Sequence, residues 1–195
     1  MINHFFHTRP VALVVIVGAI FFALSWVIAV RPALSLRAET LRLMATQPAP
    51  DPSIARGRAL YIAEGCGYCH SQLVRATFVD APYGRATVAA DYAGQRPPMP
   101  GTQRTGPDLS DVGTRQPSWM WQFMHLYNPR SMVPQSVMPS FPWYFEVMPR
   151  AEAEAHEFGL YAAAFDASIL APGLVAVPTQ EAVDLVAYLR ALKQE

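Results

Sequence analysis

The chain has 195 residues, no net charge and 52% hydrophobic residues, but only 15% charged ones. Soluble chains average about 25% charged residues, so part of this chain is built for apolar surroundings. The neutral balance excludes a charged disordered tail and argues against nucleic acid as a partner, since phosphate binding needs a Lys/Arg surplus. Two cysteines exclude a disulfide scaffold, and 18 prolines predict long irregular stretches.

The apolar surplus sits in Val11 to Val30, VALVVIVGAIFFALSWVIAV, which carries no charge. Twenty helical residues span about 30 Å, the thickness of bilayer hydrocarbon. Arg9-Pro10 and Arg31-Pro32 bracket the run, and Trp26 falls near its second interface. A secretory signal has an apolar region of roughly 7–15 residues and a small-residue cleavage site close behind. This run is longer and no such site follows closely, so we read an uncleaved anchor. Arg31, Arg37 and Arg42 outnumber Arg9. Taken literally, the positive-inside rule would leave the C-terminal part in the cytoplasm, but long domains translocate regardless of charge.

Cys66-Gly67-Tyr68-Cys69-His70 outweighs that count. A C-x-x-C-H run reads as c-type haem attachment. Two thiols one turn apart match the two haem vinyl groups, and the adjacent imidazole reaches the iron. A thioredoxin-like dithiol would want a βαβ setting, which the sequence lacks. Zinc would need further ligands at ordered spacing. No third cysteine exists, and His4, His7, His125 and His156 are scattered.

The flanks predict two helices. Ser53 to Glu64 has strong helix formers and ends before Gly65, a C-cap residue. Thr179 to Lys193 has a capping threonine, Glu181 early and Arg190 late, with Leu185, Tyr188, Leu189 and Leu192 on one stripe. The Gly57/Tyr61 side of the first helix is the expected partner for that stripe.

A sixth iron ligand is needed, and a methionine suits electron transfer. Met138 sits in a loop stiffened by Pro139 and Pro142; Met99 and Met132, also beside prolines or loops, compete with it. Met120 and Met124, four apart on an expected helix, read as packing residues. The Pro107 carbonyl in Arg104-Thr105-Gly106-Pro107-Asp108-Leu109 is a candidate acceptor for the second His70 nitrogen, against the plain alternative of a turn. Trp119, Trp121, Phe123 and Tyr127 are expected as walls of the macrocycle, and His125 as a hydrogen-bonded structural residue. Arg104, Arg115 and Arg130 could meet haem propionates or pair with Asp108 and Asp111.

The runs Gly57 to Cys66, Cys69 to Arg75, Tyr83-Gly84, Arg104 to Leu109, Val112-Gly113, His125-Leu126, Asn128-Pro129-Arg130 and Val133 to Trp143 together resemble the monohaem cytochrome c subunit of cbb3-type cytochrome c oxidases. The resemblance implies an all-α fold, with one N-terminal transmembrane helix and a cytochrome c-like haem domain with long irregular loops. It implies one covalent haem c on Cys66 and Cys69, with His70 and Met138 as axial ligands; Pro107 and Arg104, from the residue reading above, complete the candidate cofactor-binding set. It also implies a single-pass protein of the bacterial inner membrane with its haem domain in the periplasm. The partners would be membrane lipid, a haem-copper catalytic subunit as electron acceptor, and another cytochrome c subunit or a soluble cytochrome c as donor. Such a chain is a non-catalytic electron-transfer subunit. The alternatives are the cytochrome c subunit of a nitric oxide reductase and an independent membrane-tethered shuttle.

The expected layout is an anchor at 1–31, a linker at 32–50 helical from Pro32 to Ala45, and a cytochrome c domain at 51–195. Leu73-Val74-Arg75-Ala76 and the proline-rich Asp91 to Gln103 depart from the family pattern. Tyr144 to Pro178 matches no known pattern; within it, Arg150 to Phe165 is expected to be helical.

Overall fold

The computed structural model describes residues 9–46, 49–101, 103–165 and 168–194; His4 and His7 lie outside them. The chain divides into two compact units, one combining the N-terminal helix with Val88–Arg96 and the other combining Ala49–Thr87 with Pro97–Glu195.

Helix α1, Pro10–Thr46, is the one described helix long and apolar enough to cross a membrane. Val11, Phe22 and Ile28 are 74%, 72% and 71% exposed among the described residues; a helix apolar all round needs lipid or a partner. Pro32 lies inside this helix and lacks an N–H. The helix accommodates it with a π turn at Trp26–Val30, where Arg31 N–H donates to the Trp26 carbonyl. The segment read as a linker is thus helical from Arg31 to Thr46.

In the second unit, α2 spans Pro52–Ala63, with Asp51 accepting from Ser53 N at 2.7 Å as its N-cap. It ends at Gly65, whose φ of +69° a side chain would strain. Short helices α3 (Val112–Arg115), α4 (Trp119–Tyr127) and α5 (Pro129–Met132) follow. The C-terminal helix α7, Gln180–Ala191, buries Leu185, Val186, Tyr188 and Leu189.

Helices α2 and α7 cross at Gly57, where an added Cβ would meet the Asp184 carbonyl and stand 2.9 Å from Tyr188 Cβ. Tyr61 and Tyr188 meet edge-on, 5.3 Å apart. This is the pairing the amphipathic stripe predicts.

Asp184, 2% exposed, locks the crossing. It accepts from Arg56 at 2.5 and 2.9 Å, from Ser53 Oγ at 2.6 Å and from Gln180 Nε2 at 2.9 Å. Burial alone would raise its carboxyl, but Arg56, Ser53 and Gln180 outweigh burial and hold it below its ordinary value of 3.8. Asp184→Ala should lower unfolding stability by about 2 kcal/mol at neutral pH, the scale of lost hydrogen bonds to a charged group. A depressed carboxyl gives stability that is full above its ordinary value and lost as pH falls through the depressed one. The gap between variant and wild type, read from urea midpoints, should therefore shrink below about pH 4.

The all-α expectation needs correction. β1 (Phe145–Pro149) and β2 (Leu174–Pro178) pair antiparallel, with Phe145 opposite Pro178 and Pro149 opposite Leu174. Both faces of β2 are buried: Ala176 joins the main core, while Val175 and Val177 pack with Ala153, Met148, Phe158 and Ala162. The helix expected over Arg150 to Phe165 is only one turn, α6, Arg150–Ala153. Gly159 then folds back onto Ala153, so closely that a Cβ there would strike its carbonyl. Ala163 goes on to bridge Ala176.

Candidate functional site

Gly65 turns the chain out of α2 into a tight 3₁₀ turn, Cys66–Tyr68. Cys69 N and His70 N both donate to the Cys66 carbonyl, at 3.2 and 2.9 Å. Cys66 is half-buried and Cys69 exposed, and neither is in a disulfide. Burial, with Glu64 nearby, pushes the Cys66 thiol up to about 12. A redox-active dithiol needs the opposite shift.

The loop Arg104 to Leu109 lies against this turn. Gly106 N donates to the Cys69 carbonyl at 2.9 Å, and Leu109 N to the Ser71 carbonyl at 2.8 Å. His70 Nδ1 and the Pro107 carbonyl are 2.8 Å apart, so a protonated Nδ1 donates there and Nε2 remains for a ligand. Burial pushes the His70 pKa down, against Pro107 and Asp108, which favours the neutral imidazole that binds metals. Gly106 has no side chain where one would overlap the His70 ring: a Cβ there would be 2.8 Å from both ring nitrogens.

The methionines separate. Met138 packs half-buried against the core, in a loop held by Arg130. The Arg130 guanidinium donates to the Met138 carbonyl at 3.1 Å and to Ser140 Oγ at 2.9 Å. Met99 reaches the cysteine turn, with its methyl 3.0 Å from where a Gly67 Cβ would be. Met132 ends α5.

The aromatic residues of α4 divide by face. Trp119 stacks on Tyr161 at 5.4 Å, Tyr127 on Phe165 at 4.8 Å, and the fully buried Phe123 meets Phe145 edge-on at 6.2 Å. These three pack on the segment around the sheet. Trp121 stacks on His125 at 4.7 Å. His125 Nδ1 is buried with no hydrogen-bond partner among the described residues, which corrects the expectation of a hydrogen-bonded histidine. Burial, then His70, lowers its pKa.

Of the ion cluster behind the histidine, the sequence reading offered the Arg104–Asp108 pair and missed Asp80. Asp80 and Asp108 are both fully buried. Arg104 pairs with Asp80 and donates to Ser71 Oγ at 2.8 Å and the Leu73 carbonyl at 2.5 Å. Arg75, then Arg104, hold the Asp80 carboxyl well below the usual carboxylate range. Tyr83 lies under the guanidinium groups of Arg104 and Arg115, at 5.2 and 5.4 Å. Asp80 carries no local signal; the family-like runs Cys69 to Arg75, Tyr83-Gly84 and Arg104 to Leu109 touch this cluster without including it.

This donor set fits a haem. Two unpaired thiols share one turn, one imidazole has its outer nitrogen engaged, and a glycine leaves room beside the ring. No group of three His, Cys, Asp or Glu side chains able to cage a bare ion occurs among the described residues. No curated protein matches the chain. A family model described as "Cytochrome C oxidase, mono-heme subunit/FixO" matches residues 3–163. With most of its length matched, from the apolar helix through the C-x-x-C-H turn to Ala163, the chain belongs to the FixO family of mono-haem cytochrome c oxidase subunits.

Proposed function

We propose that this chain is a membrane-anchored monohaem cytochrome c that relays electrons to the haem-copper catalytic subunit of a cbb3-type oxidase. The family match over residues 3–163 carries this reading. It favours the oxidase over a nitric oxide reductase subunit or a free shuttle, which would share the anchor and the haem motif. Residues 1–31 anchor the chain in the inner membrane, 32–50 connect, and 51–195 form the cytochrome domain in the periplasm. Another cytochrome c subunit or a soluble cytochrome c is the donor.

Cys66 and Cys69 would hold haem c through thioethers, and His70 and Met138 would supply the ligands to its iron. The haem supplies one-electron chemistry, cycling between ferric and ferrous iron. The chain's own residues do the rest. Pro107 orients His70 through Nδ1, Arg130 fixes the backbone of the Met138 loop, and the packed aromatic core excludes water. Arg104 is committed to Asp80, Ser71 and Leu73, so its contribution runs through the loop it holds.

Absorption spectroscopy tests the assignment. Protein purified from membranes should keep its Soret band after acid-acetone extraction, and it should copurify with a large polytopic subunit in mild detergent. Extractable pigment overturns covalent attachment. Met138→Leu should abolish the low-spin methionine-ligated spectrum; an unchanged spectrum transfers the ligand role to Met99 or Met132.

A further inference from the structure

We propose that the buried Asp80–Arg104–Asp108 cluster is a positioning device for the His70 imidazole, and so helps to set the potential of the iron. The inference rests on the reading of His70 as an axial ligand.

The connections run to the covalent neighbours of both partners in one hydrogen bond. Asp108 directly follows Pro107, the acceptor for His70 Nδ1. Its Oδ2 accepts from Ser71 Oγ at 2.6 Å and from Leu73 N at 2.8 Å, and its Oδ1 from Ser110 N at 2.8 Å. Ser71 directly follows His70. One carboxylate therefore ties the chain leaving the histidine to the chain leaving the acceptor carbonyl.

Arg104 closes the frame from the other side. It donates to Ser71 Oγ and to the Leu73 carbonyl, and its remaining nitrogen faces Asp80. Asp80 is itself held by Arg75, whose backbone N, Nε and Nη2 donate at 2.8, 2.9 and 2.8 Å. The Arg115 guanidinium donates to the Asp108 carbonyl, fixing the loop's far end.

Two backbone hydrogen bonds already join the loop to the turn. Holding a turn in place does not require burying two carboxylates and a guanidinium, whose desolvation opposes folding. The rigid fork of arginine supplies orientation that a single point charge would not. A firm Nδ1–H···O=C bond raises the basicity of the opposite nitrogen, which favours ferric iron. Loosening the frame weakens that bond and raises the potential.

The charges themselves act with a different sign pattern. Removing the Arg104 cation lowers the potential if only its field matters. Removing the Ser71 hydroxyl changes no charge at all.

The test measures the equilibrium potential of the anchored holoprotein in detergent, together with the exchange rate of the His70 Nδ1 proton by NMR. Arg104→Gln, Arg104→Lys and Ser71→Ala should each raise the potential and speed that exchange severalfold, with Ser71→Ala the mildest. A fall in Arg104→Gln, or no change in both Arg104→Lys and Ser71→Ala, overturns the inference. Ser71→Ala keeps the test available if the arginine variants fail to fold. A wild type without covalent haem overturns the underlying reading as well; a haem-loaded wild type whose potential the variants leave unmoved overturns this inference alone.

Discussion

A chain cut after Ala163, where the family match ends, should fail to form a folded cytochrome domain. The removed residues include Val175, Val177, Ala182, Leu185 and Val186, all at 0–1% exposure. Burying each valine or leucine contributes about 1.5–3 kcal/mol, and the whole stability of a domain is only about 5–15 kcal/mol. Helix α2 would lose the surface that Gly57 and Tyr61 are shaped to meet, and β1 would lose its only strand partner among the described residues. Circular dichroism in the near ultraviolet should be lost, and the product should hold little haem. A truncated chain that unfolds cooperatively near the full-length midpoint would refute this.

Local features were legible in the sequence, and features assembled from distant segments were not. The long apolar helix, α2 and α7 announce themselves through composition, caps and a helical stripe, which depend on neighbours a few positions away. The C-x-x-C-H turn is equally local, as is its following loop. The sheet is different. Leu174–Pro178 is uniformly apolar because both of its faces are buried, so the alternation that marks a half-exposed strand is missing. Phe145–Pro149 is short and ends in proline.

Arg150 to Phe165 failed in the opposite direction. Its alanines and glutamates favour helix locally, yet the chain folds back at Gly159 so that Ala163 can pair with Ala176. Tertiary packing overrode propensity there. The ion cluster was only partly legible, for a third reason. Asp108, four residues on, is a partner for Arg104 that the sequence offers beside a propionate, but only the fold brings Asp80 to the same guanidinium. The same effect claims Trp119, Phe123 and Tyr127. As helical residues i, i+4 and i+8 they share a face, but the partners of that face come from a segment with no recognisable pattern.

Gly106→Val should displace the imidazole from its working position. The constraint there is space, since a Cβ at Gly106 would overlap the His70 ring and stand 2.8 Å from Nδ1 and from Nε2. Neither side can yield cheaply. Gly106 is tied by its own N–H to the Cys69 carbonyl at 2.9 Å, and the ring by Nδ1 to Pro107 at 2.8 Å. Moving the loop stretches the Pro107 bond; moving the ring displaces Nε2, the nitrogen that would bind the iron. Forcing methyl groups into a packed site costs about 1–3 kcal/mol, and valine adds two more carbons beyond the first clash. The outcome should be a severalfold fall in the haem-to-protein ratio, with the remaining pigment high-spin. Attachment through Cys66 and Cys69 would not relieve this, because the position of the imidazole is set by this loop and not by the thiols. A variant with full haem content and an unaltered low-spin spectrum would show that His70 is not held against this loop in the loaded protein.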